Sequence, residues 1–392
     1  MSSKKSCDKS FYKSLDKSLK IALLTYATKP RGSVIHTLEL ANALYEQGHH
    51  PHVFALDKDG RGFHRLADFE TIAVPAGPCS GDIDQLIKQR IDEFVCYFQQ
   101  HFPLYDIYHA QDCLSANALA ILREQGCIPH FVRTVHHIES FRSPYLQDCQ
   151  QRSIYLPDRC CCVSQLWQQV LAVDYGINAH RVMNGVSERF SAEEDGLEEG
   201  LKGELNIRGY PVYLTVGGIE PRKNSIRLLE AFAQVKVQQP EAQLVIAGGA
   251  TLFDYQDYRD RFMQVLRSLG LENDLILPGV IADKHMPALY RLADGFVFPS
   301  VKEGWGLVVL EAIASGLPVV AADQPPFTEF LTEESAYLVD PMRVDAIAAA
   351  MIHMIGDDPK KGELDIVKTH SWQTSAQMHL ELYEQLLEPV EA

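Results

Sequence analysis

No run of about 18 apolar residues occurs in the 392-residue chain, so nothing in it reads as a membrane-spanning helix. The N-terminal MSSKKSCDKSFYKSLDKSLK has lysines but no apolar core segment, and does not read as a secretory leader. Positive charge is scarce: 36 Lys and Arg stand against 52 Asp and Glu, a net charge of −16. Residues 1–186 are balanced at 19 basic and 19 acidic side chains, while residues 187–392 carry 17 and 33. No basic face is evident, which argues against a nucleic-acid partner. An anionic ligand in the second half would therefore need a locally concentrated positive site.

Other absences narrow the choice further. The nine cysteines have neither metal-type nor disulfide spacing, and Cys160-Cys161-Cys162 lie in an apolar run that reads as a strand. Reduced thiols packed in a core are expected there, which places the chain in a reducing cytosol. There is no HExxH or two-carboxylate cluster, so no metal site is expected. Asp82-Ile83-Asp84 opens a helical stretch, where aspartates serve as caps rather than ligands. Leu244–Gly249 (LVIAGG) lacks the third glycine and the later acidic partner of a dinucleotide fingerprint, which speaks against an NAD-dependent dehydrogenase.

What is present is alternation. Strand-like runs at 20–26, 70–74, 106–110, 131–135 and 160–163 alternate with helical patterns at 34–46, 83–100, 116–124 and 165–175. The same rhythm resumes with PVYLTV at 211–216. Strands and helices at this spacing predict parallel sheets with helices on both faces. Between the halves, SAEEDGLEEGLKGEL is acidic and punctuated by glycine, and reads as an exposed linker. Phe11, Leu15 and Leu19 fall at i, i+4 and i+8 among lysines. A short interfacial helix is one reading of this stretch, and a frayed chain end is the other.

Chemistry concentrates in PSVKEGWGLVVLEAIASGLPVVAA (299–322), a strand end, loop, helix and second strand. Glu303 lies in the loop, and Glu311 lies inside the helix, flanked by Val308, Val309, Leu310, Ala312, Ile313 and Ala314. A charge in so apolar a segment must be paired or bind something. Gly304 and Gly306 allow a close backbone approach, and the N–H groups of Gly304, Trp305, Gly306 and Leu307 are free donors at a helix mouth, where an anion is favoured. Carboxylates there suit sugar or ribose hydroxyls better than phosphate. Earlier, Gly217-Gly218 follows a strand, and Arg222-Lys223 stands at the next helix start. The glycines admit a diphosphate, Arg222 offers a planar fork and Lys223 a point charge.

Glu303 and Glu311, with their flanking PS, EGWG and SGLPVVAA, resemble the E-x7-E signature of retaining glycosyltransferases of the GT-B fold, closest to family 4 (glycosyl transferases group 1). The resemblance runs from about Lys20 to the end. It implies two facing Rossmann-like domains with doubly wound parallel sheets, and a flexible basic tail over 1–19. An acceptor domain would cover 20–186, a linker 187–208 and a nucleotide-sugar domain 209–370, and a last helix in 371–392 would cross back to the first domain. RTVHHIESF resembles the family's T-x-H stretch and makes His136 the functional histidine, with His137 the fallback. Gly32, followed here by Ser33, stands where the family has two adjacent glycines near the donor phosphates. RVMNGV resembles the element that ends the first domain, with Ser187 in place of the usual Asp. Gly279, Val280 and Ile281 would touch the nucleotide base.

By that resemblance the chain moves a sugar from a nucleotide-diphosphate sugar to an acceptor hydroxyl, with retention and without metal or cofactor. Arg222, Lys223 and the helix mouth would hold the diphosphate, Glu303 the sugar, Glu311 the ribose, and His136 the reacting centre. A cytoplasmic protein with at most peripheral membrane contact is implied, and the acceptor is left open. The other readings are a nucleotide-sugar epimerase or hydrolase of the same fold, and a catalytically silent binding protein.

Overall fold

The structure is a computed structural model that describes residues 18–388, apart from 66, 102–103, 250–254, 357–358, 361 and 363. Its first half begins with β1 (Lys20–Thr25), α1 (Gly32–Glu46), β2 (His50–Asp57), β3 (Glu70–Pro75), α2 (Ile83–His101) and β4 (Ile107–Ala110). It continues through α3 (Cys113–Glu124), β5 (Val132–Val135), α4 (Pro144–Tyr155), β6 (Arg159–Cys162), α5 (Gln165–Tyr175) and β7 (His180–Arg181). Every observed pairing is parallel, in the order β3-β2-β1-β4-β5-β6-β7.

The second half opens with α6 (Glu198–Glu204), β8 (Val212–Val216), α7 (Ser225–Gln238), β9 (Gln243–Ala247), α8 (Gln256–Leu269) and β10 (Leu275–Gly279). Then come α9 (Met286–Arg291), β11 (Gly295–Phe298), α10 (Leu307–Ala314), β12 (Val319–Ala322), β13 (Tyr337–Val339), α11 (Val344–His353), α12 (Leu364–Thr369) and α13 (Trp372–Leu387). Its sheet is parallel too, in the order β10-β9-β8-β11-β12-β13. The strand order reverses between β1 and β4 in one sheet and between β8 and β11 in the other. In open sheets of this kind, ligands bind outside the carboxyl ends of the strands at such switch points.

Local chemistry sets several of these boundaries. Asp112 caps α3 by accepting from Ser115 N at 2.8 Å, and Asp82 caps α2 by accepting from Gln85 N at 2.9 Å. Ser164 caps α5, which stops at Gly176 in the left-handed region at φ 66°. Cys161 and Cys162 are fully buried and Cys160 nearly so, as the apolar run predicts.

Two stretches are more firmly anchored than their sequence suggests. The acidic stretch before residue 209 is largely exposed, as a linker would be, but it is ordered and tied down: α6 forms within it, Glu198 and Leu201 are buried, and Arg291 on α9 pairs with Asp195 at 2.7 Å and with Glu198 at 2.5 Å. A partner 93 residues away turns acid that looks solvent-seeking into an interior ion pair. Leu19, the last residue of the expected tail, is anchored too. It is 1% exposed in the first core, and its N–H donates to His49 Nδ1 at 3.2 Å. Phe11 and Leu15 lie outside the described residues. No helix among the described residues is long and apolar enough to cross a membrane.

The chain passes between its halves twice, and the two passages touch. Val186 N donates to the His370 carbonyl at 2.9 Å, and Val186 bridges Ser371 in parallel. Gly185 permits this, because a Cβ there would lie 2.2 Å from Trp372 N. Beyond the second passage, α13 packs on the first half, burying Trp372, Ala376, Leu380 and Tyr383 with Leu38 and Leu44 of α1.

Candidate active site

The loops after β8 and β11, neighbours across the switch point, bring the charges together. Val301 N donates to the Arg222 carbonyl at 2.8 Å, and Ser300 Oγ lies 2.7 Å from the same oxygen, so one loop is stitched to the other. Asn224, buried in the left-handed region, anchors the first loop by donating to the Pro299 and Pro341 carbonyls. Lys223 and Arg222 thereby reach Glu303 Oε1 at 2.7 and 3.0 Å, and Ser300 Oγ donates to the same atom at 2.8 Å. Burial pushes the Glu303 carboxyl up, but Lys223, Arg222 and the Ser300 bond together outweigh it and hold it below the usual carboxylate range.

The two cations are not an uncompensated positive site: Glu303 takes both, and Glu220 takes Arg222 through Nε at 2.9 Å. Two positive and two negative side chains make the quartet formally neutral. An anion that drew Lys223 away would free the Glu303 carboxylate for another partner. Lys223 Nζ also lies 4.3 Å over the Phe298 ring.

Gly217 lies against this lysine, since a Cβ on it would meet Lys223 Cε at 3.0 Å. A small cavity here is lined by Gly217, Gly218, Lys223 and Ser225. The next strand ends join it: Gly248 N donates to the Gly279 carbonyl at 2.8 Å. Of the expected base-contact residues, Val280 is 63% exposed, whereas Ile281 packs partly against the second core.

On α10 the expectations divide. Leu307 opens the helix, after Gly306 at φ 111°. Trp305 is buried and stacked on Phe330 at 4.9 Å, so its backbone N–H, not its indole, is what it can offer a ligand. Glu311 Oε2 accepts from Tyr290 Oη at 2.7 Å. Burial pushes the Glu311 carboxyl up to about 7, with the Tyr290 bond and the Arg189 charge offsetting part of the effect. Arg189 forks both nitrogens onto the Asp283 carboxylate at 2.7 and 2.8 Å.

The first half faces this site. His136 follows β5, and its Nε2 lies 3.2 Å from Gln111 Oε1. Burial, with His36 and Arg133 nearby, holds its imidazole well below the usual histidine range, so the ring is neutral at pH 7. A Cβ on Gly304 would lie 2.3 Å from the His136 carbonyl oxygen, so glycine is what lets the two halves close on each other. His137 is instead exposed, with Nε2 2.8 Å from Glu139. Gly32 opens α1, and its N–H is one of that helix's free donors. The phenol of Tyr26, at the end of β1, feels the charges of both Arg31 and Arg222, so the carboxyl edges of the two sheets face one another.

Three more contacts bridge the cleft. Trp167 Nε1 donates to the Glu303 carbonyl at 3.1 Å, and Lys302 Nζ donates to the Ile138 carbonyl at 2.8 Å. Glu329 reaches from the second half to the start of α5, accepting from Gln165 N and Leu166 N at 2.7 and 2.9 Å. A carboxylate on a helix N-terminus gains from both the bonds and the dipole. Glu329→Ala is expected to leave donor-nucleotide affinity nearly unchanged while lowering kcat about tenfold, because closure precedes chemistry. Small-angle scattering should show a larger radius of gyration for the variant, and an unchanged radius would remove the clasp.

Sequence reasoning places His136, Glu303, Arg222, Lys223 and Glu311 and the glycine turns around one cleft. It passes over Tyr290, Arg189, Glu329, Gln111 and His36. The one usable signal is that Glu329 ends DQPPFTE, a loop at a strand end facing the cleft.

Two facing parallel-sheet halves, with their charged loops meeting at the switch points, define a two-domain α/β protein with a charged cleft between its halves. The chain belongs to the group 1 glycosyltransferases of the GT-B fold. Residues 199–366 match the family "Glycosyl transferases group 1", and residues 30–189 match "Glycosyltransferase Family 4". The chain is 24% identical to the D-inositol 3-phosphate glycosyltransferase of Corynebacterium glutamicum, over 93% of this chain and 96% of that one. It is 26% identical to the alpha-monoglucosyldiacylglycerol synthase of Streptococcus pneumoniae, over 79% and 72% of the respective chains. Among solved structures, sucrose-phosphate synthase from Thermosynechococcus elongatus shares the fold, with a TM-score of 0.76 at 22% identity over 94% of this chain and 98% of that one. So does Anabaena HepE in complex with UDP-glucose, with a TM-score of 0.76 at 20% identity over 94% and 100%. The protein is thus a glycosyltransferase.

Proposed function

We propose that this glycosyltransferase takes its sugar from a nucleotide-diphosphate donor, retains the anomeric configuration and needs no metal ion. The observation that carries the reading is Glu303, held on Lys223 and Arg222 at the switch point between β8 and β11. As the sugar–phosphate bond breaks, negative charge grows on the diphosphate and positive character on the sugar. Lys223, Arg222 and the amides at the mouth of α10 stabilise the first, and the freed Glu303 carboxylate grips the sugar. Glu311 accepts from the ribose hydroxyls. The acceptor hydroxyl attacks on the face the phosphate leaves, and a phosphate oxygen takes its proton. Neutral His136 orients the sugar and is not required as the base. UDP-glucose in the complexed HepE structure supports a nucleotide-sugar donor. The free cysteines, three of them buried in β6, support a reducing, cytoplasmic setting.

A thermal-shift screen of nucleotide sugars tests this reading. A true donor at a hundred times its Kd adds about 2.7 kcal/mol and raises Tm by a few degrees. With that donor and an accepted hydroxyl, proton NMR should show a product of unchanged anomeric configuration, and EDTA should leave the rate intact. Inverted product or loss of rate in EDTA would refute the corresponding half of the proposal. Rapid turnover of donor alone would favour an epimerase or hydrolase.

A further inference from the structure

His36 is fully buried on α1, in the half opposite the charged quartet, and touches both passages between the halves as well as His136. Its Nδ1 lies 2.9 Å from Asn184 Oδ1, and Asn184 is 3% exposed in the first passage between the halves. The ring centroid of Trp372, from the second passage, is 5.2 Å away at an interplanar angle of 78°. On another side His36 packs against His136, with centroids 4.6 Å apart and planes at 78°. Gln111, also fully buried, holds the Nε2 of that same ring.

The tautomer of His36 follows from its partner. An amide oxygen can only accept, so Nδ1 carries the hydrogen and Nε2 carries the lone pair. Burial first, and His379 on α13 second, hold His36 down to about 3, with the Asn184 bond opposing them. The rings packed around it are His136 beyond β5, and Trp372 and His379 of α13. A neutral, edge-on imidazole fixes the rotation of His136 without placing charge beside it.

We infer that His36 is a positioning residue. Through Asn184 and Trp372 it reports the arrangement of the two passages, and it sets the ring of His136 accordingly, so that His136 is aligned when the halves close. This rests on the reading of His136 as the residue that orients the sugar. His36 itself touches neither donor nor acceptor.

Nitrogen-15 NMR of the histidine rings and steady-state kinetics together test it, with wild type, His136→Ala, Asn184→Ala, Asn184→Asp and His36→Gln. In wild type, His36 should give the signature of a neutral ring protonated on Nδ1 throughout pH 5 to 8. Asn184→Ala should shift the His136 ring resonances and lower kcat by about ten- to a hundredfold, with donor KM nearly unchanged. Asn184→Asp keeps an acceptor, so it should restore kcat at pH 8. It should lose kcat again as the pH falls, because the carboxylate lets His36 take a second proton next to His136. A purely structural role would lower Tm without this split or the pH-dependent rescue. Should His36→Gln not fold, the Asn184 pair still decides the matter. Unchanged His136 resonances and kcat in Asn184→Ala would overturn the inference. Full activity in His136→Ala would instead refute the underlying reading of the site.

Discussion

Lys223→Ala is expected to lower kcat about 10²- to 10³-fold, the usual effect of removing one preorganised electrostatic stabiliser. Lys223 is the best placed of the two cations. Its side chain is 13% exposed against 35% for Arg222, and its one carboxylate partner is Glu303, whereas Arg222 is also tied to Glu220. Water screens its charge little, so its loss is felt more strongly as the leaving diphosphate gains charge. Stability should fall too, but modestly, because Glu303 keeps Arg222 at 3.0 Å and Ser300 at 2.8 Å. Adding Glu303→Gln separates the two effects. The double variant should regain the lost Tm, since no buried carboxylate is left underpaired, and should regain none of the rate. Undiminished turnover in Lys223→Ala would remove the diphosphate site from this loop.

Glu311→Gln should weaken donor binding by about ten- to a hundredfold, the range for a hydrogen bond to a charged group. The same change should stabilise the protein at alkaline pH. Burial raises this carboxyl from 4.5 to about 7 in the fold, so its favourable contribution is complete below pH 4.5 and is lost as pH rises through 7. At pH 8 the wild type keeps an ionised carboxylate beside an apolar helix face, at a cost of about 2 to 3 kcal/mol that glutamine avoids. Ribose hydroxyls donate to the ionised form, so wild-type affinity for the donor nucleotide should rise from pH 6 to pH 8. In Glu311→Gln it should be flat. Calorimetric titration at both pH values, with melting curves alongside, checks both halves. A pH-independent wild-type affinity would show that Glu311 does not hold the ribose.

Much of this architecture was legible because the relevant signals are local. Apolar runs such as Val319–Ala322, broken by Gly316 and Pro318, announce strands and their ends within a few residues. The spacing of Glu303 and Glu311 placed one in a loop and the other on α10, where the structure has them. The anchoring of the acidic stretch at Glu198 was not legible, because its arginine partner is on α9. Tyr290 and His36 gave no sign of their roles, and Glu329 only its place in a loop at a strand end, because their partners lie 21, 148 and 163 residues away.

The order of residues by itself determined two parallel sheets and the loops that crown them, since periodicity and chain stops act within one or two turns. Tertiary structure alone decided which charges meet there. It set Lys223 and Arg222 against Glu303 across 80 and 81 residues, neutralised a site expected to be positive, and placed Glu311 against the Tyr290 hydroxyl. The reason is physical: pairing and desolvation depend on distance in space, and neighbours across a switch point are far apart along the chain.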